Sequence, residues 1–230
     1  MPHDAEVSPD AAFGFRETSR PPKFFTIGAS ISVNSAWARP CQNTEKLSPL
    51  EGVAGAMPHL LFICTGNVCR SPFAERYARL AGERCGLAGW DFSSAGAGAL
   101  VGASMDKDMA HELTLLGGDP IGFRARALDR EIITSADLII AMETFHRGYV
   151  LDDHPGLVRR TFTLGQLARI ARDHPQEEHG PELLAAIGAF RHRARDEDDI
   201  PDPYRRGPEI AHEVAGSIAG LLDELVPRLG

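Results

Sequence analysis

Residues 60–72 read LLFICTGNVCRSP, and this stretch decides the fold. It opens with four apolar residues in a row, the pattern of a parallel strand that is covered on both faces. Small and polar residues follow, and an amphipathic stretch begins at Pro72. The sequence therefore predicts a strand over 60–64, a tight loop, and a helix over 72–86.

The same alternation of apolar runs and amphipathic stretches continues along the chain, which favours an α/β fold with a parallel sheet. Segment 165–195 holds two further apolar pieces at helical spacing, 167–171 and 183–190, and is predicted to be a helical insertion. The remaining predicted strands are 91–94, 137–142 and 160–163, and the remaining predicted helices are 106–116, 144–151 and 208–229.

Residues 1–56 mix Pro, Ser, Ala and Gly without sustained periodicity, so we expect a disordered N-terminal extension. Met57 stands shortly before the first strand, which leads to the hypothesis that translation starts there. The predicted catalytic domain is thus 57–230.

Composition excludes several classes of protein. The 230 residues carry 24 Lys and Arg against 32 Asp and Glu, a net charge of −8 that disfavours nucleic-acid partners. No apolar run approaches the roughly 18 residues of a membrane span, so no membrane insertion is expected. Four unevenly spaced cysteines are too few for a disulfide scaffold, and a cytoplasmic location is predicted.

The chemistry is expected in the loop between Cys64 and Arg70. Five residues separate these two at a strand-to-helix junction, where backbone N–H groups and a helix N-terminus can cradle a phosphate. Such a positive environment favours a thiolate, so Cys64 is the predicted nucleophile. Arg70 offers a planar fork to two phosphoryl oxygens.

Each neighbour in the loop has an expected task. Ser71 is predicted to donate to the Cys64 sulfur and to cap the helix, with Pro72 at the first helical position. Gly66 permits tight curvature and the Asn67 amide pins the loop. The predicted phosphate-binding residues are Thr65, Gly66, Asn67, Val68, Cys69, Arg70 and Ser71.

The leaving oxygen of a phosphomonoester needs a proton, and Asp202 is the candidate donor. Pro201 and Pro203 flank it and stiffen its backbone, although an aspartate between prolines is also common in plain turns. Tyr204 is expected to flank an aromatic leaving group.

Cys69 follows Cys64 closely enough that a reversible disulfide across the loop would protect the nucleophile from over-oxidation. The alternative is an inert, small apolar side chain. No second cysteine pair with ligand spacing follows, so no metal site is expected.

Four stretches together resemble the low-molecular-weight protein tyrosine phosphatases, in particular bacterial enzymes associated with exopolysaccharide synthesis and the longer actinobacterial-type members. The resemblance implies a three-layer sandwich with a four-stranded parallel sheet flanked by helices. It also implies a phosphocysteine intermediate, no cofactor, and a phosphotyrosine-containing protein, such as a bacterial tyrosine kinase, as partner. The stretches are LFICTGNVCRSPFAE (61–75), FSSAGAGALVG (92–102), SADLIIAME (135–143) and DIPDPYRRG (199–207).

The family's functional positions fall on residues that the loop chemistry already singled out. By resemblance, Leu100 and Tyr204 line the substrate pocket, although Leu100 replaces an aromatic residue of some relatives and Phe123 replaces a histidine of others. The family's nucleophile, phosphate-clamping arginine, loop-supporting asparagine and serine, protective cysteine and general acid fall on Cys64, Arg70, Asn67, Ser71, Cys69 and Asp202.

Three alternatives share parts of this pattern. Protein arginine phosphatases tend to carry Thr at the position of Val68, and arsenate reductases relay electrons through further downstream cysteines, of which none follows Cys85. A non-catalytic phosphate-binding module would be expected to lose the nucleophile or the acid. The sequence therefore favours hydrolysis of phosphotyrosine. The alternative function is that of a protein arginine phosphatase.

Overall fold

The computed structural model describes residues 58–87, 89–173, 180–189 and 193–229. The predicted extension 1–56 and the predicted start at Met57 lie outside these residues. Within the four ranges, no helix combines the length and the apolarity that crossing a bilayer requires.

Four parallel strands form one sheet in the order β2-β1-β3-β4. The first strand pairs with both the second and the third, so that Phe62 lies between Ser94 and Ile140. The predicted parallel α/β sheet is confirmed. The strands are β1 (His59–Cys64), β2 (Asp91–Gly96), β3 (Leu138–Ala141) and β4 (Thr161–Thr163).

Seven α-helices accompany the sheet in the described part of the chain. Helix α3 was not predicted because its six residues are too few to show a helical period, although Asp129 caps it by accepting from the Ile132 N–H. The helices are α1 (Arg70–Arg84), α2 (Lys107–Leu115), α3 (Arg130–Ser135), α4 (Thr144–Asp153), α5 (Leu164–Asp173), α6 (Gly180–Ala189) and α7 (Pro208–Leu225). Short 3-10 turns cover Pro155–Leu157, Asp196–Asp198 and Val226–Leu229.

Alternate side chains of β1 enter two separate apolar cores, as the period of a strand requires. Leu60 and Phe62 pack in one core with residues of α1, α5 and α7. Leu61 and Ile63 pack on the opposite face with Ile133 of α3 and Val150 of α4. The result is the expected three-layer sandwich, in which α5 and α6 occupy most of the segment predicted to be a helical insertion.

The start of α1 differs from the prediction in which Ser71 caps the helix. The helix begins at Arg70, Cys69 is at the cap position, and no side chain caps it. The Ser71 hydroxyl instead lies against Cys64 and Asn67, inside the loop. Pro72 occupies the third helical position, which it tolerates because N–H groups of the first turn have no partner within the helix.

Gly96 lets the end of β2 approach the loop that follows β1. A β-carbon at Gly96 would lie 2.5 Å from the Thr65 carbonyl oxygen and 3.0 Å from Asn67. A larger residue would therefore push the phosphate-binding loop out of place. Gly98, two residues on, has only the Thr65 methyl within reach, at 3.8 Å.

We predict that Gly96→Ala lowers the free energy of unfolding by about 1–3 kcal/mol because the added methyl overpacks the loop. Urea unfolding followed by circular dichroism measures this difference. Gly98→Ala is the matched control and should stay close to the parent protein. Equal midpoints for Gly96→Ala and the parent would contradict the close approach.

Candidate active site

The candidate site lies at the carboxyl end of β1, where the loop 65–69 leads into α1. The strand following β1 in the chain, β2, lies on one side of it and β3 lies on the other. In open α/β sheets, this reversal of strand order creates a crevice that receives ligands. The sheet topology and the loop therefore indicate the same place.

The loop carbonyls are held from outside by the segment that follows β2. With these oxygens bound outward, the loop N–H groups turn inward, and none from Gly66 to Cys69 has an acceptor within the described residues. Unpaired amides around one point form a receptor for a tetrahedral anion. The outward bonds join Ala97 N to Cys64 O (3.0 Å), Gly98 N to Thr65 O (2.9 Å), Leu100 N to Gly66 O (3.0 Å) and Asp106 N to Val68 O (2.7 Å).

Asn67 holds the loop in shape from beneath. Its amide nitrogen donates to Ser71 Oγ and Ser94 Oγ, both at 2.9 Å, and its amide oxygen accepts from Arg126 N at 2.8 Å. The side chain is fully buried and its φ is 52°. The tight curvature expected of Gly66 thus occurs at Asn67, an amino acid that tolerates the left-handed region.

Cys64 lies at the base of the loop, where only 2% of its surface is exposed. Its Sγ is 3.0 Å from Ser71 Oγ, as the sequence predicted. At Cys69, burial and then the carboxylates of Asp106 and Asp202 raise the pKa of the thiol far above the ordinary value. Cys69 is therefore kept protonated at neutral pH and is unsuited to be the nucleophile.

The Arg70 guanidinium, 2% exposed, is fixed by one end. Its Nη1 donates to Glu143 Oε1 at 2.7 Å and to the Ile200 carbonyl at 2.8 Å. Nε has no partner in the described part of the chain, and Nη2 lies 3.3 Å from Asp202 Oδ1. The edge formed by Nε and Nη2 is thus the one offered to phosphoryl oxygens.

Asp202 reaches the same pocket from the opposite side, and its side chain is half exposed. Tyr204 and Leu100, both predicted to contact the substrate, line the mouth. All the phosphate-binding residues predicted from the sequence lie at this loop, although Asn67 and Ser71 support it from behind. The pocket, about 170 Å³, is lined by Cys64, Thr65, Gly66, Val68, Cys69, Arg70, Gly98, Leu100, Asp202 and Tyr204.

Two residues that the sequence analysis missed complete the site. Glu143 binds Arg70, and fully buried His146 places Nε2 2.8 Å from Thr65 Oγ1 and Nδ1 3.5 Å from Glu143. Both follow β3, so the rule that ligands bind at strand carboxyl ends was the available signal. Among the described residues, no group of three or more His, Cys, Asp or Glu side chains could hold a metal ion.

Burial, followed by the nearby Arg70 charge, lowers the pKa of His146 from 6.5 to about 4. Between those values the unfolded chain binds a proton that the folded protein excludes, so stability is lost as the pH falls. We expect the free energy of unfolding to drop by about 2 kcal/mol more between pH 7 and pH 5 in the parent than in His146→Gln. Parallel pH slopes in urea titrations would contradict this.

Asn67 offers a second test. Asn67→Ala and Asn67→Gly remove the same three hydrogen bonds, but only alanine is strained at a φ of 52°. Both variants should lose phosphatase activity, and Asn67→Ala should be about 1 kcal/mol less stable than Asn67→Gly. Denaturant unfolding of the pair measures the difference, and equal stabilities would show that the left-handed backbone is not retained.

A buried cysteine at the base of an amide cradle, faced by an arginine and a carboxylate, defines a cysteine-dependent phosphatase site. The family model for low molecular weight phosphotyrosine protein phosphatase matches residues 59–230, and the chain belongs to this family.

Similar proteins support the same assignment. The Escherichia coli K12 protein named low molecular weight protein-tyrosine-phosphatase Etp is 29% identical over 74% of this chain and 93% of its own. The solved tyrosine phosphatase Wzb of Escherichia coli K30 is 25% identical, with a TM-score of 0.57 over 76% of this chain and 99% of its own. The YwlE arginine phosphatase of Geobacillus stearothermophilus is 26% identical, with a TM-score of 0.58 over 75% and 92%.

Proposed function

We propose that this phosphatase hydrolyses phosphotyrosine in proteins, with Cys64 as nucleophile, Arg70 as phosphate clamp and Asp202 as general acid and base. The observation that carries the proposal is the convergence of these three side chains on one pocket, beside loop amides that have no acceptor in the described part of the chain. Cys64 and Arg70 face the phosphorus from the floor. Asp202 stands at the mouth, where a leaving oxygen would be.

In the first step the Cys64 thiolate attacks phosphorus, and the Sγ–P bond forms as the bond to the phenol oxygen breaks. Asp202 gives its proton to that oxygen, so a neutral phenol leaves. Arg70 and the loop N–H groups bind the three equatorial oxygens and stabilise the charge that spreads over them. Ser71 Oγ, 3.0 Å away, stabilises the sulfur as an anion before attack and after release.

In the second step a water molecule attacks phosphorus and Asp202, now a carboxylate, takes a proton from it. The Sγ–P bond breaks, inorganic phosphate leaves, and Cys64 returns to the thiolate. In the free enzyme Asp202 lies 3.3 Å from Arg70 Nη2. A bound phosphoryl group would occupy that edge of Arg70 and leave Asp202 to act on the leaving oxygen or on water.

The apolar mouth supports an aromatic phosphoester. Val68, Leu100 and Tyr204 line the pocket, and the last two are substantially exposed. A tyrosine ring would pass between these side chains to present its phosphate to the buried sulfur. Protein arginine phosphatase is the second candidate because a solved arginine phosphatase has a similar structure, but apolar Val68 favours a phenyl ring over a guanidinium.

The expected partner is a phosphotyrosine-containing protein such as a bacterial tyrosine kinase. Relatives named Etp and Wzb are protein-tyrosine-phosphatases, which supports this class of substrate. The cytoplasmic location, the redox role of Cys69, the N-terminal extension and the status of 165–195 as an insertion stay predictions from the sequence.

Phosphate release from matched phosphotyrosine and phosphoarginine peptides tests the proposal on the full chain. Cys64→Ser should abolish release, since a neutral hydroxyl cannot replace the thiolate. Asp202→Asn should bind substrate normally but slow release from phosphotyrosine by about a hundred-fold or more.

Faster release from phosphoarginine than from phosphotyrosine would reverse the order of the two candidate substrates. Release by Cys64→Ser at the parent rate would exclude Cys64 as nucleophile. A separate acid would be needed if Asp202→Asn kept the parent rate.

A further inference from the structure

A largely buried ion pair holds the start of segment 198–202, the acid loop, which ends at Asp202. Arg169 of α5 donates from Nε to Asp198 Oδ1 at 3.1 Å and from Nη2 to Asp198 Oδ2 at 2.7 Å. This is the two-bond fork geometry that only an arginine provides. The Asp198 side chain is 4% exposed and the Arg169 side chain 14%, so the carboxylate is buried and the guanidinium reaches it from the edge of the surface.

Further contacts make this a built junction. Arg169 Nη2 also donates to the Arg193 carbonyl at 3.1 Å, and Arg195 N donates to Asp198 Oδ2 at 2.9 Å. Although burial opposes the charge, bonds from Arg169 and the Arg195 backbone lower the pKa of Asp198. Helix α5 also touches the junction directly, since a β-carbon at Gly165 would lie 2.5 Å from the Asp198 carbonyl oxygen.

The backbone between Asp198 and Asp202 has little freedom. Asp199 accepts from Thr144 N and Oγ1 at 2.7 and 2.9 Å. Ile200 N donates to the Met142 carbonyl at 2.8 Å, and the Ile200 carbonyl accepts from Arg70. Pro201 and Pro203 then restrict the remaining torsions on either side of Asp202.

We propose that Arg169 is a positioning residue for the phosphatase reaction, acting through Asp198 to hold Asp202 over the leaving oxygen. The inference rests on the proposed role of Asp202 as general acid. It gives α5, which the sequence marked only as part of a helical segment, a task in proton transfer without any contact to substrate.

A gain in folding stability does not by itself explain why this ion pair is present. A buried ion pair loses in desolvation much of what it gains in attraction, and apolar replacements are frequently as stable. Orientation is a stronger reason, because displacing a reacting group by about 1 Å can slow catalysis by about a hundred-fold. A loop tethered to α5, α4 and Arg70 at successive residues provides that orientation.

Leaving-group dependence tests the proposal, because only esters of weakly acidic phenols need a proton from Asp202. The two substrates are a phosphotyrosine peptide, whose phenol has a pKa of about 10, and 2,4-dinitrophenyl phosphate, whose leaving group departs as an anion. Arg169→Met should lower kcat/KM about ten-fold or more for the peptide and about two-fold or less for the activated ester. Asp198→Asn should show the same selective loss of kcat/KM. Arg169→Lys should lose less activity on the peptide than Arg169→Met.

Arg172→Met is the matched control. Arg172 lies on the same helix and forms a 2.7 Å ion pair with Glu224, but it is 57% exposed and its partner belongs to α7 instead of the acid loop. It should leave both substrates unchanged. The inhibition constant for inorganic phosphate should stay unchanged in every variant, because the cradle is not altered.

The outcomes separate the inference from the function on which it rests. Equal losses on both substrates in Arg169→Met and Asp198→Asn, or the same selectivity in Arg172→Met, would overturn the positioning role while leaving Asp202 in place. If Asp202→Asn itself shows no selectivity between the substrates, the acid assignment fails and the positioning role fails with it.

Discussion

The buried amide of Asn67 is the contact on which the site depends. It joins the loop that follows β1 to Ser94 of β2 and to the Arg126 backbone, and it holds the loop in a left-handed turn. Because these bonds fix the loop from beneath, its carbonyls meet donors outside, and its N–H groups from Gly66 to Cys69 have no acceptor among the described residues. A binding site for a dianion thus arises largely from backbone groups.

A single cationic side chain lines this pocket in the described part of the chain. Arg70 is the one guanidinium lining the described pocket, and Glu143 and the Ile200 carbonyl restrain one end of it while the other end stays open to phosphate. Neutral His146 fills the space behind Thr65 without adding a second positive charge. The acid loop binds the same arginine through Ile200, so the phosphate clamp and the proton donor share a support.

Most of the fold and the chemical residues could be predicted from the sequence because they lie in local patterns. Continuous apolar runs predicted β1 and β3, and the spacing of Cys64 and Arg70 around a strand-to-helix junction predicted the phosphate loop. The predicted start of α1 was wrong because the Ser71 hydroxyl can either cap a helix or bind the Cys64 sulfur. Only the packed loop decides between these two roles. Glu143, His146 and Arg169 were missed because they act across 73, 81 and 29 residues of chain on Arg70, Thr65 and Asp198.

The central claim is that phosphate passes through the Cys64 sulfur, and trapping the intermediate tests it most directly. The full chain is mixed with a phosphotyrosine peptide, and the reaction is quenched within milliseconds. The protein is then digested under conditions that preserve the S–P bond of phosphocysteine, and the phosphorylated fragment is identified by mass spectrometry. One phosphoryl group on Cys64, formed at the rate of phenol release, is the predicted result. Steady phosphate release with no phosphoryl group on Cys64, or with the group on another residue, would contradict it.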